Sequence, residues 1–166
     1  MMFGSGRGAA LRNYPGIVAT VWWILFGSIS MYWSLGGRWL LNTAVRGEGL
    51  ALAAERPLWI VLLVFCTGVV KLCFALFGYL MNRPGLLPVP HWLYVSFGLT
   101  SGIIMVVYGL YSSVPGIPLI LKGDMNTYRW MRMLVWMPQF WVGGGLIILA
   151  TLIYMHRFSG GRSSAR

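Results

Sequence analysis

PLWIVLLVFCTGVVKLCFALFGYL (residues 57–80) carries a single charge, Lys71, in a run of twenty-four residues. A helix needs about 20 mainly apolar residues to cross the hydrocarbon core of a bilayer. The run is therefore long enough to span, and the lysine falls in its middle. Three further runs meet the same test, at about 15–36, 90–112 and 133–155. The rest of the composition agrees. The chain has 166 residues, is 58% hydrophobic and only 10% charged, where a soluble domain has about 25% charged residues. The expected fold is all-α, an integral membrane four-helix bundle in one domain over 1–166, with flexible tails at 1–14 and 157–166.

Thirteen Lys and Arg against three acids give a formal net charge of +10. In a soluble chain that excess points to nucleic acid. Here the bases flank apolar runs, so the expected partner is a bilayer with anionic headgroups and not nucleic acid. Pro15, Pro57 and Pro90 suit first helical turns, where a missing N–H costs nothing. Trp39, Trp59, Trp92 and Trp130 fall near the span ends, as an aromatic belt does. The first run is longer than a signal-peptide core and no small-residue cleavage site follows it, so it is read as a retained span.

Twelve bases outside the spans divide six and six between the two sides. The side of the termini has no acid, and both termini are placed in the cytoplasm, in a multi-pass protein of the cell membrane. The loops 37–56 and 113–132 lie on the other side. In the second of these, Asp124 is expected to cap a short interfacial helix to Leu134 that bears Arg129 and Arg132. Phe26-Gly27-Ser28 and Phe97-Gly98 are a faint echo between the two hairpins.

Three local patterns occur together: Met31-Tyr32-Trp33-Ser34-Leu35-Gly36-Gly37 closing the first span, Arg56-Pro57-Leu58-Trp59 opening the second, and Trp136-Met137-Pro138-Gln139-Phe140-Trp141 beginning the fourth. With them the chain resembles, over about 15–155, a bacterial family of small four-span membrane proteins known only as a domain of unknown function. The resemblance implies a bacterial integral membrane protein with four helices. It supplies no activity, cofactor or catalytic residue.

Lys71 is the main candidate for function. At 1.5 Å per residue its backbone lies roughly 14 Å or more from either interface. An intramembrane charge costs at least about 2.5–3.5 kcal/mol, and such residues are usually functional. On a helical wheel it shares a small, polar face with Thr67, Gly68, Phe74, Ala75 and Gly78, opposite a lipid face of Val69, Leu72, Leu76 and Leu80. Matching backbone depths puts it level with Trp22 and Trp23, with Thr100 and Ser101, and with Gly143, Gly144 and Gly145. The expectation is a lysine buried against the third and fourth spans, with Lys71, Thr67, Thr100, Ser101, Gly143 and Gly144 as ligand-binding candidates.

No acid lies in any span; Glu48, Glu55 and Asp124 are all in the long loops. The amine is then neutral, or holds an anion or polar ligand, or meets water, or simply ties helices together by hydrogen bonds. Gly143-Gly144-Gly145 follows Pro138 and reads as close packing with a kink, or as a broken helix lining a site. Cys66 and Cys73 are seven residues apart on one helix, roughly 10 Å, too far for a disulfide, and read as buried inert thiols. His91 and His156 are two imidazoles without a third ligand, so no metal is expected. No cofactor, catalytic residue or nucleophile–base spacing stands out. The functions left open are a non-enzymatic membrane protein that binds a lipid or small polar ligand, or is a subunit of a homo-oligomer or larger membrane complex, and a small transporter of anionic or neutral cargo using Lys71.

Overall fold

A computed structural model of the chain describes residues 14–83, 86, 88–123 and 125–162, without the side chains of 119 and 157–162. Among these residues every regular element is helical. Helix α1 runs Tyr14–Ser34, followed by the short α2 (Leu41–Ala44) and α3 (Glu48–Glu55). Helix α4 is Leu58–Asn82 and α5 is His91–Ser113. A 3₁₀ turn Val114–Gly116, α6 (Ile117–Leu121) and α7 (Thr127–Met131) fill the second long loop. A π-helical turn Arg132–Trp136 then leads into α8 (Pro138–Arg162). Among the described residues, four helices are long and apolar enough to cross a membrane: Tyr14–Ser34, Leu58–Asn82, His91–Gly116 and Thr127–His156.

The end of α1 explains one sequence element. Gly36 has φ 103, its N–H meets the Trp33 carbonyl at 3.0 Å, and the Gly37 N–H meets that of Tyr32 at 2.9 Å. This is the Schellman arrangement, which needs a left-handed residue just past the helix and so favours glycine there. Leu35-Gly36-Gly37 is a helix stop. The Arg56 Nη2 adds a hydrogen bond to the Ser34 carbonyl at 2.8 Å, so the start of the second span is fastened to the end of the first.

Packing is pairwise. α1 lies along α4, α5 along α8, and α1 against α8 joins the pairs. α4 and α5 meet chiefly through rings: Phe74 and Phe77 face Phe97, and Phe77 stacks on Tyr94. The common core takes Ala19 and Trp23 from α1, Ala75, Phe77, Leu80 and Met81 from α4, Tyr94 from α5, and Ile147 and Tyr154 from α8. Large apolar side chains such as Leu63, Ile104 and Val107 point outward, where a bilayer, unlike water, imposes no penalty on them.

Several local expectations change. Pro57 and Pro90 stand at the N-cap, one residue before the first turn. The interfacial helix does not stop before the fourth span: residues 127–156 form one continuous helical stretch through the π turn. Its cap is Asn126, whose Oδ1 accepts the Arg129 N–H at 3.0 Å; Asp124 lies outside the described residues. α8 continues to Arg162, into the segment expected to be a flexible tail, while residues 1–13 and 163–166 of the tails lie outside the described residues. Cys66 and Cys73 are exposed, not buried, because the α4 face packed on α1 runs through Gly68, Lys71 and Ala75.

Candidate functional site

Lys71 is buried, with 7% of its surface exposed. Its Nζ donates to Ser30 Oγ at 3.0 Å and to Gln139 Oε1 at 3.2 Å, and lies 6.0 Å from the centre of the Phe140 ring. One side chain thus joins α4, α1 and α8. The expected burial against the third and fourth spans holds for the fourth; the other partner is the first span. The reason is the direction of the stem. A helical side chain leans toward the N-terminus of its own helix, so the amine rides about four residues, ~6 Å, above its backbone level. That shift moves it from Gly143 to Gln139 on α8; on α1 it covers about half of the seven or eight residues from Trp22 and Trp23 to Ser30, and the rest is depth, because Gly27 and not Trp22 or Trp23 packs against Gly68 and Leu72 beside the lysine.

The network is chemically closed on the acceptor side. The Ser30 hydroxyl donates to the Phe26 carbonyl at 3.2 Å. Gln139 Nε2 donates to the Trp136 carbonyl at 2.9 Å. A carbonyl accepts only and an ammonium donates only, so the amide has one workable orientation, with its oxygen on Lys71. The Gln139 backbone carbonyl in turn accepts from Trp22 Nε1 at 3.0 Å. The π turn helps place this amide. The Met137 N–H reaches back to the Arg132 carbonyl at 2.9 Å, and the Trp136 carbonyl is taken by the Gln139 side chain.

On the loop side of the network sits a ring cluster. Trp136 packs on Trp33 at 5.2 Å and edge-on to Phe26 at 6.2 Å. Its Nε1 donates to Thr43 Oγ1 in α2 at 3.2 Å. Ser30 lies four residues below the end of α1 at Ser34, ~6 Å of helix. The amine is therefore near one rim of the bundle, roofed by tryptophan.

The other sequence candidates do not gather round Lys71. Thr67 and Thr100 are exposed and Ser101 is half-buried. The Thr67 hydroxyl is spent on the Leu63 carbonyl at 2.8 Å and that of Ser101 on Phe97. Gly143 and Gly144 are buried packing positions. A methyl on Gly143 would stand 2.8 Å from Trp23 Cε2, and one on Gly144 would stand 2.7 Å from the Gly102 carbonyl oxygen. Gly145 faces open space. On the expected lipid face Val69 and Leu76 are exposed, but Leu80 is buried. Ser30 and Gln139 were missed. Gln139 had a signal, as the one glutamine in the chain, placed just after a proline at the head of an apolar run.

A second feature lies at the same end of the molecule. A cavity of about 150 Å³ is walled by Ser112 at the end of α5, by Pro115 in the 3₁₀ turn, and by Tyr128, Arg129, Arg132 and Met133. The Met133 side chain closes onto Gly116, where a Cβ would collide with it. Arg132 Nη1 donates to the Tyr128 hydroxyl at 3.3 Å, and the Arg46 guanidinium lies over the Tyr128 ring at 5.8 Å. Two cations, Arg46 and Arg132, thus meet one tyrosine. Elsewhere, Glu48 and Glu55 are exposed, and the His91 ring stacks on Tyr154 at 5.0 Å.

No curated protein and no solved structure gives a significant match to the chain. One family model does match, over residues 23–147. That segment holds Lys71, Ser30 and Gln139, the helix stop at Gly36 and the arginine-lined cavity. The chain belongs to the family described as "Protein of unknown function (DUF3995)".

Proposed function

We propose that this is a non-enzymatic integral membrane protein that binds a polar, anionic ligand at its loop-side end, and that Lys71 is the tie that holds three of its helices in register. One observation carries the ligand reading. The cavity brings Arg129 and Arg132 together with two hydroxyl side chains, beside the ends of two helices long and apolar enough to span a membrane. The lysine reading rests on its partners. Ser30 and Gln139 are neutral acceptors already held by their own helices, which is how a structural cross-link is built.

The test is native mass spectrometry of the protein released from mild detergent, for the wild type, Arg132→Gln and Lys71→Met. The expected result is a discrete bound mass in the wild type and in Lys71→Met, lost in Arg132→Gln. A mass lost in Lys71→Met and kept in Arg132→Gln would move the ligand to the buried amine and revive a transport role. Wild-type protein that emerges bare would remove the ligand reading.

A further inference from the structure

We infer that the group held in the loop-side cavity is a phosphoryl oxyanion, clasped between Arg129 and Arg132; this rests on the ligand reading above and gives it a chemical class. Size is the first ground. At about 150 Å³ the cavity is below the ~300–1,000 Å³ of pockets that enclose a whole drug-sized molecule. It suits a compact tetrahedral group attached to something that stays outside.

Donor chemistry is the second ground. An arginine presents five N–H groups in a planar fork that matches phosphate oxygens. The Tyr128 hydroxyl engages one donor nitrogen of Arg132. Ser112 and Tyr128 add hydroxyls to the lining, the mixed donor set that phosphate contacts use. Charge is the third. Arg129 and Arg132 both line the cavity, and two positive side chains on one wall favour an anion over a cation or a neutral group.

The surroundings bear on the source. Val114, Ile117 and Leu134 adjoin the cavity residues in sequence and are exposed and apolar. A phospholipid can therefore place its phosphate between the arginines while its acyl chains lie on those side chains. The same clasp accepts free phosphate from water.

Thermal unfolding in neutral detergent separates the outcomes. The probes are short-chain phosphatidylglycerol, short-chain diacylglycerol as its phosphate-free control, and inorganic phosphate. The expected result is a rise in Tm with phosphatidylglycerol and none with diacylglycerol. Arg132→Gln should weaken the apparent affinity about tenfold or more, as expected for a lost hydrogen bond between charged groups, and Tyr128→Phe should weaken it less. An Arg132-dependent shift with inorganic phosphate alone also supports the phosphoryl inference and names free phosphate as the source. An equal shift in wild type and Arg132→Gln overturns it. If no phosphoryl probe gives an Arg132-dependent shift, while the co-purified mass still depends on Arg132, the phosphoryl inference fails and the ligand site stands.

Discussion

Lys71 and Gln139 should be energetically coupled, and a double-mutant cycle measures by how much. Gln139→Leu leaves the amine with Ser30 alone and sets methyl groups against a desolvated nitrogen. A hydrogen bond involving a charged group contributes about 1.5–3 kcal/mol, while measured bonds between membrane helices average ~0.6 and reach ~1.7 kcal/mol. The Lys71–Gln139 bond is buried, at 3.2 Å, and the chain offers the amine no carboxylate within any span. The expected loss for Gln139→Leu is therefore about 2 kcal/mol, near the top of the membrane range. Lys71→Met orphans the Gln139 oxygen, a penalty of about 1–3 kcal/mol, but also removes a costly intramembrane amine, so its net effect should be about 1 kcal/mol or less. In the double variant neither orphan remains. Its loss should be close to that of Lys71→Met alone, a coupling of about 2 kcal/mol. Reversible unfolding in mixed micelles with an ionic detergent reads all four corners. Losses that add to within ~0.5 kcal/mol would show that the two residues do not interact, and the account of the lysine as a tie would fall.

The triple glycine gives a contrast within three residues. Gly144→Ala pushes a methyl toward the Gly102 carbonyl and should cost about 1–3 kcal/mol by overpacking. Gly145→Ala meets nothing and should be neutral or stabilising by up to about 1 kcal/mol through helix propensity. Equal losses at the two positions in thermal unfolding would contradict the packing described. Cys66 and Cys73 should both react with an apolar maleimide in folded, detergent-solubilised protein, since both are exposed; protection until unfolding would place them inside. Asn126→Ala should lower the stability of the α7 turn by about 1 kcal/mol, seen as faster hydrogen exchange at the Arg129 amide, while Asn126→Asp should retain protection.

The four spans were legible because about 20 apolar residues in a row have few other uses, and their ends were placed to within a few residues by proline, tryptophan and glycine. The exception was the fourth. Its start at Thr127 lies in a segment with Arg129 and Arg132, whose charges mask helical continuity in a hydropathy reading. Burial of Lys71 followed from its small neighbours Gly68, Ala75 and Gly78, and the wheel found that face. The partners were not found, because depth was matched from backbone to backbone while the functional atom of lysine sits at the far end of its stem. Thr100 and Ser101 were at a plausible depth but on the wrong side of α5, whose packed face is Tyr94, Gly98, Gly102 and Gly109. A lone span carries no information on the rotation of its neighbours. The cavity depends on a π turn and on Met133 closing over Gly116, neither of which has a sequence period to betray it.

The Lys71 bonds also set an order of events at the ribosome. Ser30 precedes the lysine in the chain, so when α4 enters the bilayer its first acceptor is already there. Gln139 follows 68 residues later, a delay of roughly 3–14 s at 5–20 residues per second. During that interval α5 is added, and the amine has one of its two acceptors. The glutamine supplies the second acceptor, so the network that joins three helices closes only when the last of them has been made.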